Sequence, residues 1–357
     1  MINNRIIQAS EFLRTCALDA FVFFYLPNIR YLSGFTGTDG VLVLVGGETA
    51  FLTDSRYTSQ ARQQVVAGTI REYRNKIEAV VEFLTEKGAI RVGFEAETLA
   101  YGTVSELREK GDFFQWIPVT SEVKALRCQK DAAEILALER AAALNAECFN
   151  EVLADIRPGA RERDIALALE FALKRRGAEE KSFEYIVASG VRGAFPHGVA
   201  SDKQLAAGEM VTIDFGCRLQ GYHSDETVTL ALGPVSARMR EIYATVLEAH
   251  DRAIDRVRPG IALKDIDAVA RDFISECGFG EFFGHGTGHG LGLEVHEFPP
   301  VSFRSDEMAK EGMVFTIEPG IYIPELGGVR IEDTVLVTAD GCRRLTRIPK
   351  DFQMLPV

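Results

Sequence analysis

Residues 1 to about 120 alternate strand and helix patterns. Apolar, β-rich runs at Ala20–Tyr25, Val41–Val45 and Ile90–Phe94 are separated by turn residues and amphipathic stretches, which predicts a small α/β unit. The clearest helix is predicted over Lys124–Asp155, where Ile135, Leu138, Ala142, Ala146, Phe149 and Leu153 recur at helical spacing between charged residues. The change of pattern within Pro118–Lys130 marks a boundary, so the two domains are expected over 1–123 and 124–357.

Beyond that boundary the sequence repeats itself. Arg157-Pro158-Gly159 opens a segment running through Asp164-Ile165 to Gly177, and Arg258-Pro259-Gly260 opens one running through Asp265-Ile266 to Gly278. Arg157 and Arg258, Asp164 and Asp265, Gly177 and Gly278 each differ by 101 positions. Each copy reads as a Pro-Gly turn followed by a helix that stops at its glycine.

Each helix is followed by a strand pair carrying acids. Met210-Val211-Thr212-Ile213-Asp214 resembles Met313-Val314-Phe315-Thr316-Ile317-Glu318, with Phe315 as an insertion, and Asp225-Glu226-Thr227-Val228 resembles Glu332-Asp333-Thr334-Val335. Hairpins are expected to turn at Gln220-Gly221 and near Gly327-Gly328. Two such units predict halves packed around a pseudo-twofold axis, one sheet continuing into the other and the four acids converging.

Length and charge narrow the function. The 357 residues suit two domains, and a net charge of −12 repels phosphate backbones, which excludes nucleic acid as a natural partner. The six cysteines fall in no CxxC pair and read as reduced thiols. The N-terminal stretch lacks a signal-peptide pattern and no run reaches the roughly 18 apolar residues of a membrane span, so the cytoplasm is the expected location, with no membrane partner.

Asp214, Asp225, Glu318 and Glu332 lie in or beside apolar strands, where unpaired carboxylates are costly to bury. Arg330, two residues before Glu332 and hence expected on the same strand face, supplies one cation against four anions. Divalent metals would supply the rest, and oxygen donors with one imidazole suit Mn, Co or Zn. Of six histidines, His285, His289 and His296 cluster around the run Gly284-His285-Gly286-Thr287-Gly288-His289-Gly290, where an extended chain would put His285 and His289 on one face. That run is not a phosphate loop, because no strand-to-helix signature surrounds it. Val295-His296-Glu297 is not a zincin motif, because no second histidine follows at the required spacing. His223 and His250 read as structural or surface residues, and Met210 and Met313 as core.

The set Asp214, Asp225, His289, Glu318 and Glu332 resembles, in identity, order and spacing, the five ligands of the pita-bread metallopeptidases, a family that includes methionine aminopeptidase, aminopeptidase P and prolidase. Leu26-Pro27-Asn28-Ile29-Arg30-Tyr31-Leu32-Ser33-Gly34-Phe35 and Thr53-Asp54-Ser55-Arg56-Tyr57 resemble the creatinase/prolidase N-terminal domain, which points to the proline-directed branch. Val228 departs from that branch, many members of which carry an arginine there.

The resemblance implies an α/β N-terminal domain ahead of an α+β pita-bread catalytic domain. It implies two divalent ions, Mn first and Co or Zn next, bridged by Asp225 and Glu332, with Asp214 on one ion and His289 and Glu318 on the other. A hydroxide between the ions would be the nucleophile, with Glu318 shuttling protons. His197 and His296 match histidines that steady the reacting groups, His285 one that lines the substrate pocket, and Arg330 one that holds the bridging carboxylates. The implied activity is hydrolysis of the Xaa-Pro bond in dipeptides or short peptides by a homodimer. A metal-free creatinase-like amidinohydrolase and a non-catalytic binding member of the same fold are the alternatives, and the retained ligands oppose both.

Overall fold

The computed structural model describes residues 2–357 and divides into two compact units, Met1–Arg127 and Cys128–Val357. The first carries strands β1 (Ala20–Phe23), β2 (Val41–Val45), β3 (Glu48–Thr53), β4 (Thr69–Glu72), β5 (Arg91–Glu95) and β6 (Gln115–Val119). They form one mixed sheet in the order β4-β3-β2-β1-β5-β6, interleaved with helices α1 (Ile2–Thr15), α2 (Leu26–Ser33), α3 (Thr58–Gln64), α4 (Lys76–Glu86), α5 (Tyr101–Lys110) and α6 (Ser121–Ala125). The apolar runs read from the sequence are its central strands, buried except at their ends, where Ile90 and Arg91 are exposed; Pro118 sits on the edge strand β6, where a missing N–H costs no ladder bond.

The second unit opens on α7, which spans Ala132–Val152 and not the longer stretch from Lys124. Asp131 sets its start. The Asp131 carboxylate accepts the Ala133 and Glu134 N–H groups, and Glu134 Oε2 accepts the Asp131 N–H, a reciprocal capping box. Upstream, the backbone is spent elsewhere, since Lys130 N–H donates to Gly312 O and Gln129 bridges Met313. Asp131→Ala is expected to cost about 1 kcal/mol, a fall of roughly 2–4 °C in Tm by calorimetry of the metal-free protein.

The repeat is visible in three dimensions. Helices α7 and α8 (Glu162–Arg175) back strands β8 (Ile186–Ser189), β9 (Met210–Phe215) and β12 (Glu226–Leu232), with the short strands β7 (Glu180–Lys181), β10 (Cys217–Leu219) and β11 (Tyr222–His223) beside them. Helices α9 (Ala237–Arg256) and α10 (Leu263–Glu276) back β13 (Gly288–Gly290), β14 (Glu297–Val301), β15 (Val314–Ile317) and β18 (Asp333–Val337), with β16 (Gly320–Ile323) and β17 (Gly327–Arg330) as a separate hairpin. The edge strands β19 (Cys342–Arg344) and β20 (Met354–Leu355) complete the two sheets, ordered β20-β12-β9-β8 and β14-β13-β15-β18-β19. The stop glycines of α8 and α10, Gly177 and Gly278, have φ of +99° and +82°. Among the described residues no helix is long and apolar enough to cross a membrane.

Three details differ from expectation. The two sheets do not run into one ladder; they abut where Glu332 N–H donates to Thr227 O (3.2 Å), Thr229 Oγ1–H to Arg330 O (2.8 Å) and Thr334 Oγ1–H to Asp225 O (3.0 Å). The copies are also out of register: Asp214 stands opposite Thr227, whereas Thr316 stands opposite Thr334, so Glu318 lies two residues further along and past the end of β15. A shift of two preserves the pleat face, which is why both acids still face inward. Finally, the β16–β17 turn falls at Pro324–Leu326, and Gly327 and Gly328 are strand residues. A Cβ on Gly328 would lie 2.2 Å from Gly193 O, so this position must be glycine for the 190–194 turn to rest on β17.

Candidate metal centre

The inner face of the second unit encloses a cavity of about 670 Å³ lined by all nine residues singled out from the sequence. Strand alternation explains the acids. Asp214 is on β9; Asp225 and Glu332 immediately precede β12 and β18; Glu318 immediately follows β15. The glycine run brings the histidine: a Cβ on Gly288 would sit 1.8 Å from Thr316 O, so only glycine lets β13 lie this close to β15. A register irregularity between His289 and Gly290 then sets the direction of the ring.

The ligand atoms of Asp225, His289 and Glu332 all lie within 4.8 Å of one another. His289 Nε2 is 3.6 Å from Asp225 Oδ2 and 3.4 Å from Glu318 Oε1. Its Nδ1 lies 3.1 Å from Gly290 O. A carbonyl only accepts, so Nδ1 carries the proton and Nε2 turns its lone pair toward the acids, as a metal ligand requires. Asp214 Oδ1 and Glu332 Oε1 are buried and have no hydrogen-bond partner.

Burial, and then the charges of Glu332, Asp214 and Glu318, push the Asp225 carboxyl well above its ordinary range. Burial, Glu318 and Asp214 do the same to Glu332, and burial raises Glu318. Carboxylates this crowded, with orphaned oxygens and a lone pair aimed among them, suit divalent cations. The donor set, four carboxylates and an imidazole, is hard enough for Mn and nitrogen-bearing enough for Co or Zn.

Arg330 reaches a different partner from the one expected. It donates to Asp214 Oδ2 at 2.6 Å, to Tyr322 OH at 3.0 Å, to Pro196 O at 3.1 Å and to Thr227 Oγ1 at 3.3 Å, whereas Glu332 Oε2 accepts from Thr227 Oγ1 at 2.6 Å. Glu332 lies between β17 and β18, and that break in the strand undoes simple alternation from Arg330. Glu332 is thus held by a threonine and Asp214, on the other half of the repeat, by the arginine.

His285 belongs to a polar chain. Its Nδ1–H donates to Gly286 O (2.8 Å), which leaves Nε2 to accept from Tyr322 OH (3.0 Å), the same hydroxyl that accepts from Arg330. Burial lowers the His285 pKa. His296 packs on His289 at 4.2 Å between ring centroids, and burial beside that ring pushes it down to about 4. His197 follows the 190–194 turn at the cleft wall, its neighbour Pro196 tied by Arg330. Tyr322 and Thr227 escaped the sequence reading, although Tyr322 shares with Glu318 the even spacing of one strand face. Val228 is core, buried opposite Ile213, and does not line the cleft.

Comparison with known proteins agrees with this architecture. Residues 137–339 match metallopeptidase family M24 and residues 5–129 the creatinase/prolidase N-terminal domain. The chain is 44% identical to the Bacillus subtilis peptidase YqhT over 92% of its length and 93% of that protein. It is 38% identical to an Xaa-Pro dipeptidase of Pyrococcus horikoshii over 99% of each chain. The solved structure of an Xaa-Pro dipeptidase from Bacillus anthracis superposes with a TM-score of 0.97 at 41% identity, covering 99% of this chain and 100% of that one. The pita-bread arrangement is thereby established, together with the family's use of divalent metal ions. The chain belongs to metallopeptidase family M24, with a creatinase/prolidase domain at its N-terminal end.

Proposed function

We propose that this peptidase hydrolyses the bond before proline in dipeptides or short peptides, with Asp214, Asp225, His289, Glu318 and Glu332 holding two divalent ions, Mn foremost. The observation that carries the reading is the meeting of acids from both halves of the repeat around one imidazole lone pair, with two buried carboxylate oxygens lacking partners. The similarity to Xaa-Pro dipeptidases supports the substrate class.

Asp225 and Glu332 are suited to be shared between the ions, Asp214 to serve one, and His289 with Glu318 the other. Ions held there supply Lewis acidity that activates water and polarises the scissile carbonyl. The protein does the rest. Arg330 orients Asp214, and Thr227 orients Glu332. Glu318, at the position that matches the family's proton-shuttling carboxylate, takes and returns a proton. His197 and His296, at the cleft wall, donate hydrogen bonds to the developing oxyanion and leaving nitrogen. Phe183, Ile186, Pro196 and Val199 give an apolar wall suited to a pyrrolidine ring. His285, fixed by Tyr322, borders the same pocket. The reading extends to a homodimer in the cytoplasm; the six free cysteines fit a reducing compartment.

The test is kinetic. Protein reconstituted with Mn is expected to cleave Xaa-Pro dipeptides and to leave matched Xaa-Ala dipeptides at least about tenfold slower. A folded, metal-loaded preparation that cleaves no Xaa-Pro peptide contradicts it. Comparing Xaa-Pro with Xaa-Pro-Yaa reads the length preference. Gly328→Ala is expected to lower kcat/KM by roughly tenfold to a hundredfold, because the displaced 190–194 turn carries the His197 wall with it; unchanged kinetics in that variant would show that the wall does not position the substrate.

A further inference from the structure

The alternation that turns Asp225 and Glu332 toward the cleft turns their successors the other way. Glu226 and Asp333 are buried, and neither lines the cleft. Between them stands Lys350, from the C-terminal segment outside the repeat. Its Nζ is 2.7 Å from Glu226 Oε1 and 3.6 Å from Asp333 Oδ1, and its side chain is 3% exposed.

The lysine's own segment is anchored at the same place. Ile348 N–H donates to Glu226 Oε1 (2.9 Å), and Tyr243 OH donates to Lys350 O (2.8 Å). Asp333 also accepts from Thr346 Oγ1 (2.6 Å), with His250 Nε2 at 3.3 Å and Arg344 Nη1 at 3.4 Å from its other oxygen. Each half of the repeat therefore contributes two adjacent acids, one facing the cleft and one facing away, and a single ammonium joins the two that face away. Against well-packed apolar groups such a buried pair adds little net stability, so its structural consequence lies in the geometry it imposes.

Resting on the ligand set proposed above, we propose that Lys350 is a positioning residue for the metal pair: by bridging Glu226 and Asp333 it fixes the separation of Asp225 and Glu332, and with it the spacing of the two ions. Lys350 touches neither ion. Its influence passes through one peptide unit on each strand. Without it, Glu226 loses its cationic partner, Asp333 keeps His250 and Arg344, and the starts of β12 and β18 are left joined on the cleft side, by Glu332 N–H to Thr227 O and Thr334 Oγ1–H to Asp225 O.

The experiment titrates Mn(II) into metal-free wild-type, Lys350→Met and Lys350→Arg proteins. Electron paramagnetic resonance follows both free Mn(II) and the exchange-coupled signal of a bound pair, and calorimetry supplies Tm. Wild type is expected to bind two ions and give the coupled signal. Lys350→Met is expected to bind the second ion roughly tenfold to a hundredfold more weakly, with the coupled signal lost or altered, and Lys350→Arg to stay within about threefold of wild type. Should Lys350→Met not fold, Glu226→Gln keeps the shape and the Ile348 bond while removing the ion pair, and is expected to weaken the second ion in the same direction. Unchanged affinity and coupling in these variants, with only Tm lowered, would overturn the proposal and leave Lys350 a structural residue. Wild-type protein that binds no pair would instead overturn the ligand reading, and this inference with it.

Discussion

Glu332→Gln is expected to make the metal-free protein more stable while abolishing its activity. Glu332 is 1% exposed, one oxygen has no partner, and burial and the charges of Glu318 and Asp214 raise its pKa. Glutamine keeps the shape and the bond from Thr227 Oγ1 but removes a buried charge, a gain of about 1–3 kcal/mol in the metal-free fold. In a unit of this size that is several degrees in Tm, at roughly 2–4 °C per kcal/mol. The sign with pH follows from the raised folded-state pKa. Wild-type Glu332 contributes its stability below the unfolded value of about 4.3 and loses it as pH rises through the folded value, so the advantage of glutamine is absent in acid and grows toward neutrality. The loss of a shared metal ligand removes several kcal/mol of transition-state stabilisation, about a thousandfold or more in kcat/KM. Calorimetry in chelator at two pH values, beside kinetics with added Mn, reads both. A metal-free variant less stable than wild type at neutral pH would mean that the acids are satisfied by the protein alone.

Arg330→Met is expected to act with the opposite sign. The guanidinium is buried, at 4% exposure, and is bonded to Asp214, Tyr322, Pro196 and Thr227 at once. Removing it leaves Asp214 uncompensated among other carboxylates, a loss of about 3–5 kcal/mol, or roughly 6–20 °C in Tm. Divalent metal then takes over part of that compensation, so added Mn is expected to raise the variant's Tm by more than it raises that of wild type. Equal metal-induced shifts in the two proteins would place Asp214 outside the metal site.

The acids were legible in the sequence because each lies at the end of an apolar strand and recurs in the second copy of the repeat. The Pro-Gly and glycine boundaries of α8 and α10 were legible for the same reason. What was not legible depends on contacts between distant segments. Gly327-Gly328 carries a local turn signal, yet Gly328 is glycine because the turn at 190–194, far earlier in the chain, lies against it. Arg330 and Glu332 share a parity that predicts a common face, but the strand breaks between them and the arginine crosses to Asp214 on the other half of the repeat. Tyr322 is marked in the sequence only by its even spacing from Glu318, and its role comes from its hydroxyl, which stands between Arg330 and His285. Lys350 lies in a segment without periodicity, and its meaning comes only from Glu226 and Asp333. The start of α7 had a local signal, the Asp131–Glu134 capping box, which outweighed the apolar periodicity extending ahead of it.

The most direct test of the account is anomalous diffraction at the manganese edge from crystals of the Mn-reconstituted protein. Two peaks are predicted, both within coordination distance of Asp225 and Glu332, one also beside Asp214 and the other beside His289 and Glu318. Peaks elsewhere, or an active, fully reconstituted enzyme with none in this cleft, would contradict it.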